Sequence, residues 1–143
     1  MAIKLLPNQI PAYWEPIKYA LVQSSVVSKK ETTLFLNKTL HMLLSSKAQC
    51  FVVLDRERSI NAISLTRIVL DELTGIKSLF IYCLYSFSMH SLDEWKNNFS
   101  QVHKFAVEQG CKYITMYTSN PRVSSIVNAI GFKERFKHYS MEV

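Results

Sequence analysis

The stretch Ser86-Phe87-Ser88-Met89-His90-Ser91, between an apolar run and an amphipathic one, is where chemistry would sit, though it holds no Gly, Arg or Lys. Its hydroxyls and imidazole can donate and accept hydrogen bonds. It precedes an amphipathic run whose first turn would present unpaired N–H groups and the positive end of a helix dipole, a combination that attracts anions. Asp93 and Glu94 fall in that same first turn and oppose an anion. Other chemistries find less support. His41, His90, His103 and His138 share no metal-ligand spacing with one another or with the cysteines, so no metal site is expected. Serine, histidine and aspartate are all present, but nothing has the form of a nucleophile elbow, so a hydrolase is not expected.

The elements that must position this stretch are written locally. A buried strand is expected at Leu79–Tyr85 and a long helix at Leu92–Gln109. Ser91 caps the helix, with Glu94 three residues on to complete a capping box. Leu92, Trp95, Phe99, Val102 and Ala106 form its apolar stripe. Gly110 suits the left-handed residue that ends it. A second strand follows at Tyr113–Thr118, then a short helix with Asn120 as N-cap, Pro121 in its first turn and Gly131 at its end. Val123, Ile126, Val127 and Ile130 make its apolar face. A strand–helix–strand of this size demands a parallel pair with a right-handed crossover.

Upstream, Ile3–Leu6 reads as a short strand stopped by Pro7. A helix opens across Ile10–Pro16, with Trp14, Ile17 and Leu21 inward. The polar stretch from Ser24 to Lys30 reads as a loop with some mobility. A second helix is expected from Glu31 to Ser46, with Leu36, Leu40, Leu43 and Leu44 inward. Cys50–Leu54 and Ile60–Leu70, joined by the polar Asp55-Arg56-Glu57-Arg58, read as an antiparallel hairpin. In the second of these runs Ile63, Leu65 and Val69 share one face. After Phe132 at least one closing strand is expected, on which Lys133, Arg135 and Lys137 share a face. The whole, 1–143, reads as a single α/β (α+β) domain in the order β-α-α-β-β-β-α-β-α-β.

With 48% apolar and 12% aromatic residues, the chain can build a globular core. No run approaches a membrane span, and no signal peptide is expected. Cys50, Cys83 and Cys111 are odd in number and set among apolar residues, which suggests free thiols in a reducing, intracellular compartment. The net charge of +6 permits attraction to nucleic acid, an acidic protein or an anionic cofactor and selects none of them.

This element order, with Thr118-Ser119-Asn120, Ile126-Val127 and Gly131-Phe132 near the C-terminus, resembles the GNAT superfamily of N-acetyltransferases. The opening Ile10–Lys18 and the segment Lys47-Ala48-Gln49-Cys50 are also similar to small GNAT-like proteins often found in phage genomes. The resemblance implies a GNAT-like mixed central sheet and transfer of an acetyl group from acetyl-CoA to an amine. It implies cofactor contacts from Leu84, Ser86, Phe87, Ser88, His90, Ser91 and Asn120. The acceptor would be an amine-bearing small molecule or protein. The family's glycine-rich pyrophosphate loop corresponds here to Ser86–Ser91, which has no Gly, Arg or Lys; the motif is degenerate. The family's usual acid, a Tyr four residues before the Gly of the Gly-Phe pair, is Val127. Tyr85 or Tyr117 would then protonate the thiolate, and Glu72 or Asp71 would serve as general base. The alternative is a catalytically inactive GNAT-fold protein that acts by binding a protein partner, such as a phage virion component. The implied location is the cytoplasm, which for a phage protein means the host cytoplasm or the virion.

Overall fold

The structure, a computed structural model, describes residues 1–24 and 29–143. Its elements in chain order are β1 (Ala2–Lys4), α1 (Trp14–Ser24), α2 (Lys29–Leu44), β2 (Gln49–Leu54), β3 (Ile60–Leu70), β4 (Lys77–Ser86), α3 (Leu92–Glu108), β5 (Tyr113–Met116) and α4 (Pro121–Ile130). Two 3₁₀ turns, each opened by a proline, lie between β1 and α1. The expected loop at 24–30 falls largely outside the described residues: Ser24 closes α1, Lys29 and Lys30 open α2, and 25–28 are not described.

The five strands form one sheet in the order β1-β2-β3-β4-β5. Pairing is antiparallel from β1 through β4 and parallel between β4 and β5. The expected parallel pair with a helical crossover is therefore present, with α3 as the crossover. Ser91 caps α3 by accepting from Glu94 N, and Gly110 follows at φ +75°. That left-handed position favours glycine because a Cβ would crowd the carbonyl.

Each face of the sheet buries its own cluster. Ile17 and Leu21 of α1 and Leu43 of α2 pack on Val52, Ile63, Leu65 and Cys83. On the opposite face Val102 and Ala106 of α3 pack on Phe51, Leu79 and Ile81. Full burial of one such aliphatic side chain contributes about 1.5–3 kcal/mol. The free cysteines are Cys50, Cys83 and Cys111, the first two buried. Among the described residues no helix is long and apolar enough to cross a membrane, and no three metal-binding side chains cluster.

Several expectations are corrected. The segment 133–143 pairs with nothing as a strand, so the alternation of Lys133, Arg135 and Lys137 marks no strand face. It lies beside β5 through ring contacts instead. The Arg135 guanidinium is 4.8 Å from the Tyr113 ring centre, and His138 stacks on Tyr117 at 5.3 Å. Leu44 and Leu92 are 45% and 42% exposed because each sits at a helix terminus, beyond the sheet it was expected to face. Val69 is likewise exposed, at the far end of β3 where no helix covers it. The first strand begins and ends earlier than expected, and Leu5 only continues it with one bond to the Cys50 carbonyl.

Candidate functional site

β4 is ten residues long, but β5 pairs only with its first half, from Ser78↔Tyr113 to Ile81↔Met116. Immediately after Ile81 the register with β3 slips. Leu65 faces Cys83 and Thr66 faces Ile81, so Tyr82 has no partner of its own. Tyr82 and Cys83 both turn toward the α1/α2 cluster, while Leu84 returns to the α3 side. Such a bulge bends its strand and raises its twist. From Tyr82 to Ser86 β4 therefore runs on without β5, and a gap opens between them.

On the α3 side the gap leads into an apolar cavity of about 60 Å³. Leu84, Met116, Trp95, Phe99, Val127 and Ile130 wall it, and it reaches across the sheet to Ser64. The Ser64 hydroxyl is the one buried side-chain polar atom without a hydrogen-bond partner among the described residues. A buried hydroxyl left unpaired costs on the order of 1–3 kcal/mol. The α4 residues face this cavity half-buried, as the stripe in the sequence implied.

On the opposite side three aromatic rings cluster. Tyr85 lies 5.9 Å from Tyr19 and 5.0 Å from Phe87, and Tyr19 lies 6.0 Å from Phe87. Burial pushes the Tyr85 hydroxyl above its ordinary pKa, and a hydrogen bond with Tyr19 acts in the same direction. Tyr117, 73% exposed, packs edge-on against Phe80 at 5.4 Å. Phe80 points away from α3, because its strand neighbours Leu79 and Ile81 bury toward α3. Tyr85 and Tyr117 thus stand on the same face, one on each side of the gap.

The Ser86–Ser91 loop is tied down by its own side chains. The Ser86 hydroxyl donates to the Ser88 carbonyl. The Ser88 hydroxyl donates to Asn61 Oδ1 at 2.8 Å and lies 3.5 Å from His90 Nε2. His90 Nδ1 lies 3.0 Å from Glu94 Oε2, with the imidazole only 2% exposed. That hydrogen bond, with one involving the Ser91 backbone, holds the Glu94 carboxyl below its usual range. Ser91 Oγ accepts from Glu94 N as expected, and the Glu94 side chain takes the Ser91 hydroxyl and His90. At the other helix, Asn120 Oδ1 accepts from Arg122 N at 2.9 Å, so it caps α4 as its type predicts.

Leu84 and Met116 wall the cavity on the α3 side, Tyr85 and Tyr117 lie on the opposite face, and Asn120 caps α4. Glu72 does not join them. It lies in the turn between β3 and β4, where Leu70 pairs with Lys77, and Lys77 and Ser86 are opposite ends of β4. At about 3.3 Å per residue this puts Glu72 roughly 30 Å from the loop. Asp71 is there too, accepting from Leu73 N and Thr74 N to shape the turn. Neither carboxylate reaches the site. The sequence reading missed Tyr19, Asn61 and Ser64. Tyr19 lies off the apolar stripe of α1, and the two strand residues are small polar types; no local signal distinguishes any of them.

No protein-family model matches the sequence, and no curated protein matches it. The fold is found among solved structures. An aminoglycoside acetyltransferase from an uncultured soil metagenomic sample, in complex with sisomicin, is 14% identical with a TM-score of 0.69, over 100% of this chain and 95% of that one. A ribosomal-protein-alanine N-acetyltransferase from Brucella melitensis is 10% identical with a TM-score of 0.71, over 100% and 99%. A protein described as a "predicted acetyltransferase with acetyl-CoA", from Clostridium acetobutylicum, is 11% identical with a TM-score of 0.75, over 99% and 95%. The mixed sheet with its parallel last pair and crossover helix is the GNAT fold.

Proposed function

We propose that this protein is an acyltransferase that moves the acetyl group of acetyl-CoA to an amine. The observation that carries the reading is the gap between β4 and β5, opened by the bulge at Tyr82 and lined on the α3 side by apolar residues. The Clostridium acetobutylicum protein of this fold was solved with acetyl-CoA, and the metagenomic aminoglycoside acetyltransferase with sisomicin.

The residues present fit the thioester arm of the cofactor well and its anionic end less well. Leu84, Met116 and Val127 offer an apolar wall to the arm. Ser86, Phe87, Ser88, His90 and Ser91 line the side of α3's N-terminus, and Asn120 that of α4's. Asp93 and Glu94 add negative charge where a pyrophosphate would meet the α3 dipole, a term of about 0.3–1 kcal/mol each. The cofactor supplies an acetyl thioester. Backbone N–H groups of β4 past Ile81, free of β5, polarise its carbonyl. The gap holds a deprotonated amine against it. As the new C–N bond forms and the C–S bond breaks, Tyr85 gives its proton to the departing thiolate and regains one from solvent. Its raised pKa keeps the phenol protonated and able to do so. Tyr117, on the far side of the gap, is the second candidate for this proton. With Glu72 and Asp71 distant, the proton leaving the amine goes to water.

A second reading is a non-catalytic binding protein of the same fold. It draws on the carboxylates at the α3 terminus, and on Phe136, Tyr139 and Met141, exposed at 84–86%. Titration calorimetry with acetyl-CoA separates the two: saturable heat supports the acyltransferase, and none at millimolar ligand supports the binding protein. A phage origin with a virion partner belongs to the second reading alone.

A further inference from the structure

The side chains of the Ser86–Ser91 loop do more than brace it. Ser88 Oγ lies 3.5 Å from His90 Nε2, and His90 Nδ1 lies 3.0 Å from Glu94 Oε2. A carboxylate can only accept, so an ionised Glu94 fixes the imidazole proton on Nδ1. That leaves the Nε2 lone pair directed at the serine hydroxyl in neutral histidine. Carboxylate, imidazole and hydroxyl then stand in the order and tautomer that nucleophilic acyl chemistry requires. We propose that Ser88, His90 and Glu94 form a hydrolytic triad that cleaves small carboxylic esters.

Three further observations support it. The imidazole is 2% exposed and meets the Trp95 ring edge-on at 5.4 Å, so it is held and partly shielded from water. Ser88 itself is exposed, as a nucleophile must be to meet substrate. Asn61 Oδ1 accepts the Ser88 hydroxyl at 2.8 Å and so holds this side chain in place across the loop. The hydroxyl has one hydrogen and two acceptor neighbours, so rotation about Cβ–Oγ moves it from Asn61 to His90. The 3.5 Å separation is long for a hydrogen bond, and such contacts tighten once substrate is bound.

In the first step Ser88 Oγ bonds to the ester carbonyl carbon while its proton passes to His90 Nε2. The imidazolium then protonates the leaving alkoxide as the C–O bond breaks, which leaves an acyl-serine. Water attacks that ester, giving its proton to His90, and collapse returns the proton to Ser88 Oγ and releases the carboxylic acid. Ser88 and His90 are catalytic residues; Glu94 is a positioning residue. The triad occupies only seven positions of the chain, a loop and the first helical turn, so it has no nucleophile elbow to be read. This activity does not depend on acetyl-CoA binding.

The test uses the full-length chain with a fluorophosphonate probe and with p-nitrophenyl acetate. The probe should phosphonylate Ser88, located by peptide mass, with loss of fluoride. Ser88→Ala should lose the label, and Ser88→Ala and His90→Gln should each lower ester turnover by at least ~10-fold. Glu94→Gln should lower kcat with little change in KM. Ser100→Ala, a hydroxyl on the exposed side of α3, should do neither. Because Ser88 is exposed, its alanine variant should melt like the parent, which keeps the result interpretable. A label on any other residue overturns the triad. So does ester turnover in Ser88→Ala equal to that of the parent, which would reduce the activity to hydrolysis by a surface imidazole.

Discussion

Ile81 and Met116 are the last residues of β4 and β5 to pair with each other. Beyond Ile81 the bulge turns Tyr82 and Cys83 to the same side of the sheet, and β4 departs from its neighbour. The gap that this creates leads into the apolar cavity on the α3 side and has Tyr85 and Tyr117 near its two edges on the opposite face. The acyltransferase reading depends on that divergence.

If acetyl-CoA occupies the gap, it should raise the melting temperature. Ligand at 100 times its dissociation constant adds roughly 2.7 kcal/mol to stability. Asp93→Asn should tighten binding, most clearly at low salt, where exposed charges are least screened. Asp93 suits this test better than Glu94, whose carboxylate also holds His90. Weaker binding by Asp93→Asn would show that the carboxylate helps the site.

Tyr85→Phe should lower the kcat for acetyl transfer by about 100-fold with KM nearly unchanged, if its proton is the one delivered to the thiolate. The pH profile carries a second signature. Because the Tyr85 pKa is raised, the acid form should persist past the ordinary tyrosine value of 10.0, and activity should fall only above it. Loss of rate in Tyr117→Phe but not in Tyr85→Phe would move the role across the gap.

Trp95 is only half-buried. Complete burial would imply a loss of about 3–5 kcal/mol on truncation; with partial burial Trp95→Ala should cost roughly 2 kcal/mol in denaturant melts. A loss under about 0.5 kcal/mol would mean that this ring does not wall the cavity.

Cys83 gives a prediction in alkali. Burial raises its thiol from 9.0 to about 11, opposed by its hydrogen bond with Ser24. The unfolded chain therefore ionises first. The stability held by the protonated folded thiol is complete below pH 9 and declines as pH rises toward 11, at up to ~1.4 kcal/mol per pH unit. Unfolding curves from pH 8 to 11 should show a shallower decline in Cys83→Ala than in the parent. Parallel declines would place the alkaline loss elsewhere.

The sequence alone determined what depends on neighbours a few residues away. Ser91, Gly110, Asn120 and Gly131 marked helix ends because capping and positive φ are local demands. The stripe of α3 and the apolar run of β4 followed from the periods of helix and strand. A long helix between two such runs forced the parallel crossover, and with it the fold. What only the tertiary structure decided involves distant partners. The bulge at Tyr82 arises from the register of β4 against β3, to which no residue type is specific. Glu72 looked eligible as a base because it is an acid near a strand end, yet the antiparallel hairpin carries it to the far end of β4. The alternation at 133–143 resembles a strand, but a strand forms only when its backbone finds an edge, and here the side chains of Arg135 and His138 hold the segment instead. His90 and Glu94 are four residues apart in sequence; what brings Asn61 to Ser88, from 27 positions away, is the pairing of Ala62 with Ser86.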